Sequence, residues 1–391
     1  MRRVRYGMVG GGTGAFIGTV HRMAAALDGE LELVAGAFAS TAERSRETGA
    51  ELGLDPERVY GSFEEMADAE AARPDDERIE VVSIVTPNHV HHPAARAFLD
   101  RGFHVVCDKP LTTTVEDAEE LCRLAAERDR LFCVTYNYTG YPMVKEARER
   151  VRGGELGPVR KVVVEYSQGW LSTLLEAEGN KQAEWRTDPR RGGPSSVLGD
   201  IGSHAHDLVR YVTGLEIARL FADLGTVVDG RRVDDDATVL LELEGGVRGL
   251  LIASQISAGE RNHLRLRVYG VEGGVDWRQE DPNDLRLLAA DGSERVLHTG
   301  TDGLSARARA ATRIPGGHPE GFIEAFANLY RNVARSVRAW GESADDRSGL
   351  PPFTDDFRTV ADGAHGVRFI HAAVESERAG RWIDCAYAPP A

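Results

Sequence analysis

The chain has little cysteine: four residues in 391, Cys107, Cys122, Cys133 and Cys385. Their spacing matches neither a zinc site nor a disulfide framework, so buried reduced thiols are expected. Positive charge is also scarce. There are 47 Lys and Arg against 62 Asp and Glu, a formal net charge of −15, which argues against nucleic acid or an anionic membrane as a partner. No apolar run approaches the roughly 20 residues that a membrane span needs. The basic start, Met1-Arg2-Arg3-Val4-Arg5, is followed by only a few apolar residues before glycines intervene. It reads as a first strand, not as a secretory leader, and the protein is expected to be cytoplasmic. At 391 residues the chain exceeds a single typical core, so two domains are expected.

Glycine, in contrast, is concentrated where it carries information. Met8–Gly18 reads MVGGGTGAFIG, between the apolar run Tyr6–Val9 and helical spacing over Ala15–Leu27. Gly10, Gly12 and Gly14 let the backbone turn tightly and approach an anion with no Cβ in the way. The helix opening at Ala15, Phe16 and Ile17 presents unpaired N–H groups. This strand–turn–helix predicts a dinucleotide pyrophosphate site.

Up to about Thr135 the chain alternates strand and helix. Strands are predicted at Val4–Val9, Glu32–Phe38, Val81–Val85, His104–Val106 and Leu131–Val134, with helices between them. Continuous Val/Ile strands with intervening helices predict an α/β, doubly wound Rossmann domain over residues 1–135. From 136 to 391 the texture is α+β. Alternating runs at Val159–Gln168, Ala237–Leu243, Gly249–Ser254, Leu264–Tyr269 and Leu285–Ala289 predict a large open, mainly antiparallel sheet with one wet face. Helices are predicted at Met143–Arg152, Ser203–Val212, Glu320–Trp340 and Asp355–Glu377, with a polar loop at Ser343–Pro352.

Four groups of residues suggest chemistry. Thr86-Pro87-Asn88 ends the third strand, where cofactors of doubly wound sheets lie, so Asn88 can donate to a ribose or nicotinamide. His91, just beyond, is assigned to the same cofactor wall. His89, His91 and His92 are crowded and lack metal-ligand spacing, so no metal is expected. Asp108-Lys109-Pro110 ends the fourth strand. There the Lys109 ammonium either stabilises alkoxide character on a substrate oxygen or is a surface lysine in a turn; position alone supports both. In Gly199–Asp207, Asp200 and His204 are four apart and share a helix face, an arrangement suited to a general base with a carboxylate neighbour. Its alternative is a helix cap and a packed histidine. The second strand's tip carries no acid for an adenosine ribose. Ser40 and Arg44 there tilt the cofactor from NAD toward NADP. Tyr136, Asn137, Tyr138, Trp185 and Arg186 are candidate substrate contacts, or packing at a domain seam. His318 lies in a loop with no assigned partner.

With these residues in view, the chain resembles the Gfo/Idh/MocA oxidoreductases, the glucose-fructose oxidoreductase and inositol dehydrogenase family. The resemblance rests on the glycine turn, Thr86-Pro87-Asn88, Asp108-Lys109-Pro110 and Asp200-x-Gly202-x-His204-x-x-Asp207. It implies catalytic roles for Lys109, Asp200 and His204, NAD or NADP as cofactor, and a cis Lys109–Pro110 bond. Asp108 stands where the family usually has Glu, and the resemblance assigns it with Lys109 to the cofactor, Asp108 reaching toward the nicotinamide ribose. The resemblance also implies a sugar or cyclitol substrate, and dimers or tetramers built through the open sheet face. Two rivals stand beside a dehydrogenase: a glycosidase that oxidises transiently and eliminates, and a cofactor-binding protein without turnover.

Overall fold

In the computed structural model, residues 2–340 and 352–390 are described; the predicted loop Ser343–Pro352 lies almost wholly outside them. The first unit runs β1 (Val4–Gly10), α1 (Phe16–Leu27), β2 (Leu31–Ala37), α2 (Ala42–Glu51), α3 (Phe63–Ala71) and β3 (Val81–Val85). It continues through α4 (His91–Asp100), β4 (His104–Cys107), α5 (Val115–Glu127) and β5 (Phe132–Val134). The five strands are parallel, in the order β5-β4-β3-β1-β2. All five residues of β3 are buried, as expected of a strand covered on both faces. Thr41, Ser62 and Thr114 cap α2, α3 and α5 by accepting from backbone N–H groups. Helix α3 was not expected. Its sequence, FEEMADAEA, offers only Phe63 and Met66 as large apolar residues, too few to reveal a period.

The second unit opens with α6 (Pro142–Arg152), β6 (Val159–Ser167), α7 (Lys181–Arg186), α8 (Pro189–Gly192) and α9 (Ser203–Thr213). A run of strands follows: β7 (Ile217–Gly225), β8 (Asp236–Leu243), β9 (Val247–Ser254), β10 (His263–Gly270), β11 (Gly273–Arg278), β12 (Asp284–Ala289) and β13 (Glu294–His298). The chain ends with α10 (Ala306–Ala310), α11 (Phe322–Trp340), β14 (Arg358–Thr359), α12 (Val360–Ala379) and β15 (Ile383–Asp384). The large sheet has nine strands, ordered β13-β12-β11-β10-β6-β9-β8-β7-β15. Every pair is antiparallel except β6 and β9, which run parallel because β6 enters long before the β7–β9 meander. Strands β7, β11 and β13 were not anticipated; β13 is short and entirely exposed or half-buried, so it lacks a buried alternation. One face of the sheet carries α9 and α6 and buries Val162, Val164, Leu241 and Leu251.

A cut at residue 135 divides the chain in sequence but not in space. Helix α11 packs along α1, and β14 pairs antiparallel with β5 at Cys133 and Val134, adding a sixth strand to the first sheet. Helix α12 touches both α5 and β7. It begins at Val360, not near Asp355, because Thr359 and Asp362 form a reciprocal capping box. Arg313 pairs with Asp28 at 2.5 Å and Arg335 with Glu30 at 3.0 Å, fastening this returning segment to the first unit.

At the centre of that contact three buried groups meet. Tyr330 Oη lies 2.7 Å from His21 Nδ1 and 2.6 Å from Ser83 Oγ. Burial lowers the His21 pKa to about 4, so the ring is neutral. Tyr330→Phe is expected to leave His21 and Ser83 only their long mutual contact of 3.5 Å, costing about 1–3 kcal/mol. A thermal melt that matched the parent protein would show that this bond contributes nothing.

Candidate active site

Between the two units lies a cleft of about 1500 Å³. Its first wall is the glycine turn, where Gly10, Gly11 and Gly14 have φ of 81°, 70° and 83°. These are left-handed conformations that residues with a Cβ rarely hold. A Cβ on Gly12 would lie 2.8 Å from the Phe38 carbonyl oxygen, and one on Gly18 would lie 2.3 Å from Gly11 Cα. Strand, turn and α1 are therefore packed backbone against backbone. The first turn of α1 has no acidic residue and its cap position, Ala15, supplies no side-chain acceptor. Its N–H groups remain available to an anion. Ala15, Phe16 and Ile17 line the cleft here, and Phe16 is 69% exposed.

Ser40 and Arg44 line the adjoining wall. Arg44 makes no ion pair among the described residues; its backbone N–H donates to Thr41 Oγ1 and its carbonyl accepts from Thr48 Oγ1. Glu47, Thr48 and Glu51 share this wall and were missed from the sequence. Thr13 Oγ1 donates to Glu51 at 2.7 Å, and the Thr13 N–H to Thr48 at 3.2 Å.

Further along, Thr86, Pro87 and Asn88 border the cleft. Asn88 does not wait for a ligand: its Nδ2 donates to the Gly192 carbonyl at 2.8 Å, tying the first unit to α8. His91 is displaced from its expected place. It is fully buried behind the wall, with its ring nitrogens 2.9 Å from the carbonyls of Pro110 and Thr86. It braces the two loops that end β3 and β4 and lies outside the cleft lining. Nor do the three neighbouring histidines converge: His89 faces the cleft, while His92 pairs with Glu120 at 3.2 Å. Asp108 Oδ1 accepts from Thr135 Oγ1 at 2.8 Å and from the Lys109 N–H at 3.0 Å.

The deepest part of the cleft joins the two units. Lys109, followed by a cis bond to Pro110, donates its Nζ to the Asp200 carbonyl oxygen, and lies 3.4 Å from Asp200 Oδ1. Asp200 is not on α9 as expected. It sits in a π-helical turn, Leu198–Gly202, leading into that helix, a local widening often found at functional sites. Its Oδ1 also accepts from Arg186 Nε at 3.1 Å, and its Oδ2 from Gln255 Nε2 at 2.7 Å. Burial alone would raise the Asp200 pKa. Arg186 and Lys109 overcome it and hold the carboxyl well below the usual carboxylate range.

His204, on the first turn of α9, lines the same space, with the Tyr138 ring edge-on at 4.7 Å. Burial, then the Lys109 charge, pushes its pKa well below the usual histidine value, and Asp200 opposes only in part. The ring is neutral at pH 7. Its Nδ1 is buried without a hydrogen-bond partner, as are Thr86 Oγ1, Asn137 Nδ2 and Ser196 Oγ along the cleft. Buried polar atoms without partners are costly in a finished core, and along the cleft they are available to a ligand.

The remaining sequence candidates separate. Asn137, Tyr138, Trp185 and Arg186 line the cleft, but Tyr136 does not. Tyr136 is packed behind His204, its ring centroid 5.8 Å away, because Gly366 leaves space for its hydroxyl. Arg186 lies 4.2 Å over the Trp185 ring and bonds Asp200, so it serves the carboxylate first. Asp207, read as structural, bonds Arg358 at 2.7 Å, and burial raises its pKa to about 6. Sequence reasoning missed Gln255, Tyr166, Asn262 and Trp170. Their only local signal is that they follow or end strands and their loops; register alone brings them to the site.

The descriptions of known families coincide with this geometry. Residues 4–136 match the oxidoreductase family with an NAD-binding Rossmann fold, and 144–276 match the GFO/IDH/MocA C-terminal domain. The chain belongs to the Gfo/Idh/MocA oxidoreductase family. An uncharacterised oxidoreductase of Bacillus subtilis, YfiI, is 33% identical over 385 residues, covering 97% of this chain and 96% of YfiI. An inositol dehydrogenase homolog from Azotobacter vinelandii, solved with NAD+, is 37% identical with a TM-score of 0.93, covering 98% of this chain and 97% of that one. The same homolog with NADH and myo-inositol gives a TM-score of 0.90 at 37% identity, covering 98% of each. The levoglucosan dehydrogenase of Pseudarthrobacter phenanthrenivorans is 28% identical over 319 residues, 75% of this chain and 79% of its own. Among the described residues no helix is long and apolar enough to cross a membrane. All four cysteines are free and buried.

A depressed carboxyl pKa is a statement about stability. It contributes above the unfolded value, about 3.9, and that contribution is lost as pH falls through the folded value. Asp200→Asn is therefore expected to melt below the parent at neutral pH, with the gap closing under about pH 3.9. A gap unchanged down to pH 3 would mean that Asp200 is not held as a charged group.

Proposed function

We propose that the chain is an NAD(P)-dependent dehydrogenase acting on a secondary hydroxyl of a sugar, sugar derivative or cyclitol, and on the corresponding ketone in reverse. One observation carries this reading: Lys109, paired with Asp200, and a neutral His204 line the same cleft as the glycine turn. The printed ligands of the Azotobacter homolog, NADH and myo-inositol, support the substrate class.

The backbone N–H groups at the start of α1 would hold the cofactor's pyrophosphate, with Thr86 and Asn137 supplying free polar atoms deeper in. A bound nicotinamide supplies a two-electron acceptor in this seam. Lys109 donates to the substrate oxygen and stabilises alkoxide character as the C–H bond breaks. His204, neutral and with Nδ1 sequestered, accepts the hydroxyl proton at Nε2. The same ammonium that disfavours imidazolium favours alkoxide, so proton loss from oxygen and C–H cleavage are coupled. Asp200, held ionised, keeps Lys109 aimed. Trp170, Trp185 and Tyr138 offer apolar ring faces to a cyclic polyol.

Ser40 and the unpaired Arg44 support NADP over NAD. A cytoplasmic home agrees with the four free thiols. A second copy would cover the open sheet face, where Leu240, 42% exposed, continues across the register into Leu250 and Val163.

Lys109→Ala is expected to lower kcat at least 100-fold while cofactor Kd stays within twofold, about 2.7 kcal/mol of transition-state stabilisation. Parallel loss of both would assign Lys109 to the cofactor instead. Substrates are found with a sugar and cyclitol panel read at the nicotinamide absorbance band. Product formation with no net absorbance change would move the assignment to transient oxidation and elimination. Arg44→Ala is expected to weaken NADP+ about tenfold, one lost charge-assisted contact, and NAD+ by less than twofold. Equal losses for both cofactors would remove the NADP preference.

A further inference from the structure

The Asp200 carboxylate is held from three sides, and one of its partners never reaches the cleft. Lys109 and Arg186 approach Oδ1, whereas Gln255 Nε2 donates to Oδ2 at 2.7 Å. Gln255 has no exposed surface and lies outside the cleft lining, so it cannot touch a substrate directly. It follows the last residue of β9, and its backbone is fixed on both sides. The Gln255 N–H donates to the Asp235 carbonyl, and its own carbonyl accepts from Leu171 N at 3.1 Å. The side chain's other end, Oε1, is buried without a partner. A buried amide with one unmet acceptor is unfavourable in a core that serves only stability. The bond to Oδ2 is the single side-chain hydrogen bond that Gln255 makes among the described residues.

We infer that Gln255 is a positioning residue for the proposed reaction: by fixing Asp200 Oδ2, it leaves Oδ1 to orient the Lys109 ammonium. A carboxylate held at one oxygen only can rotate between its two cations. Gln255 removes that freedom without adding charge. The charged and titratable groups facing the pair are Lys109 from the β4 end, Arg186 from α7, His204 from α9, and Tyr138 and Tyr166 across the cleft. On the β8 side, Asp235 is engaged with Arg231 at 3.0 Å and turned to the Val227 and Val228 N–H groups.

The inference rests on the roles proposed for Lys109 and Asp200, and its test includes an arm that needs no turnover. Gln255→Glu places a second carboxyl against Asp200. Two carboxyls at that distance share one proton, and an O–H then replaces the N–H. The ratio of variant to parental kcat/KM is expected to be near one at the acid end and to fall at least tenfold as pH rises and the shared proton leaves. Gln255→Leu, which keeps the bulk and removes the donor, is expected to lose at least tenfold in kcat/KM at every pH, with cofactor Kd unchanged. A merely structural role predicts a pH-independent ratio for Gln255→Glu, and that result overturns the inference.

The second arm is thermal melting. A carboxyl with a raised folded pKa contributes stability below its unfolded value, about 4.3, and loses it as pH rises toward the folded value. The melting gap between Gln255→Glu and the parent should therefore widen with pH above about 4.3 and then level off. A constant gap overturns the coupling of Gln255 to Asp200. Absence of polyol turnover in the parent, with a widening gap, would remove the proposed reaction but leave that coupling in place.

Discussion

The ion pair between the Lys109 ammonium and the Asp200 carboxylate, 3.4 Å apart and backed by the Asp200 carbonyl, organises this molecule. It spans the two units, with the lysine just beyond β4 and the aspartate in the widened turn before α9. Side-chain exposures of 13% and 16% put the pair largely out of water. There each charge needs the other, because removing one partner strands the second. Two cations, Lys109 and Arg186, surround one carboxylate, and the Lys109 charge acts on His204 together with burial. The imidazole is left neutral beside a group that favours an oxyanion. The electrostatics of the seam and its proposed acid–base chemistry are one arrangement.

That arrangement needs the units to be held at a fixed separation, and the chain supplies two ties and one internal brace. Asn88 donates to Gly192 across the cleft mouth. His91 braces the Thr86 and Pro110 carbonyls, fixing the two loops that carry Asn88 and Lys109. Behind the first sheet, α11 and α12 return from the far end of the chain, with Tyr330 bonded to His21 and Ser83. Residues that touch no ligand thus determine where the reactive groups stand.

Much of this was legible in the sequence, for reasons of period and spacing. The glycine turn declares itself because only glycine tolerates both positive φ and Cα-to-Cα packing, and the β/α alternation is regular enough to predict five strands. Lys109, Asp200 and His204 were legible as residue types beside strand or helix ends, and family resemblance sharpened their roles. What escaped depends on long-range register. Gln255 is one polar residue after a strand, with nothing local to separate it from a turn residue. His91 was assigned to the cleft because it neighbours Asn88, yet helix geometry turns it inward. Tyr136 and Tyr138 are two apart in sequence, and only the second reaches the cavity. Arg186 was read as a sugar contact, whereas Asp200 engages it, a competition that becomes visible only in three dimensions.

The antiparallel pairing of Arg358 and Thr359 with β5 bears on biosynthesis. A ribosome releases β5 more than 200 residues before its outer neighbour is made. Throughout that interval the nascent nucleotide-binding sheet has a bare edge strand and an uncovered α1 flank, which invite aberrant pairing. Cut out alone, the amino-terminal half would expose that edge and the flank of α1 that α11 covers. Its cover is the last part of the sheet's surroundings to be synthesised, in the carboxyl-terminal helices α11 and α12.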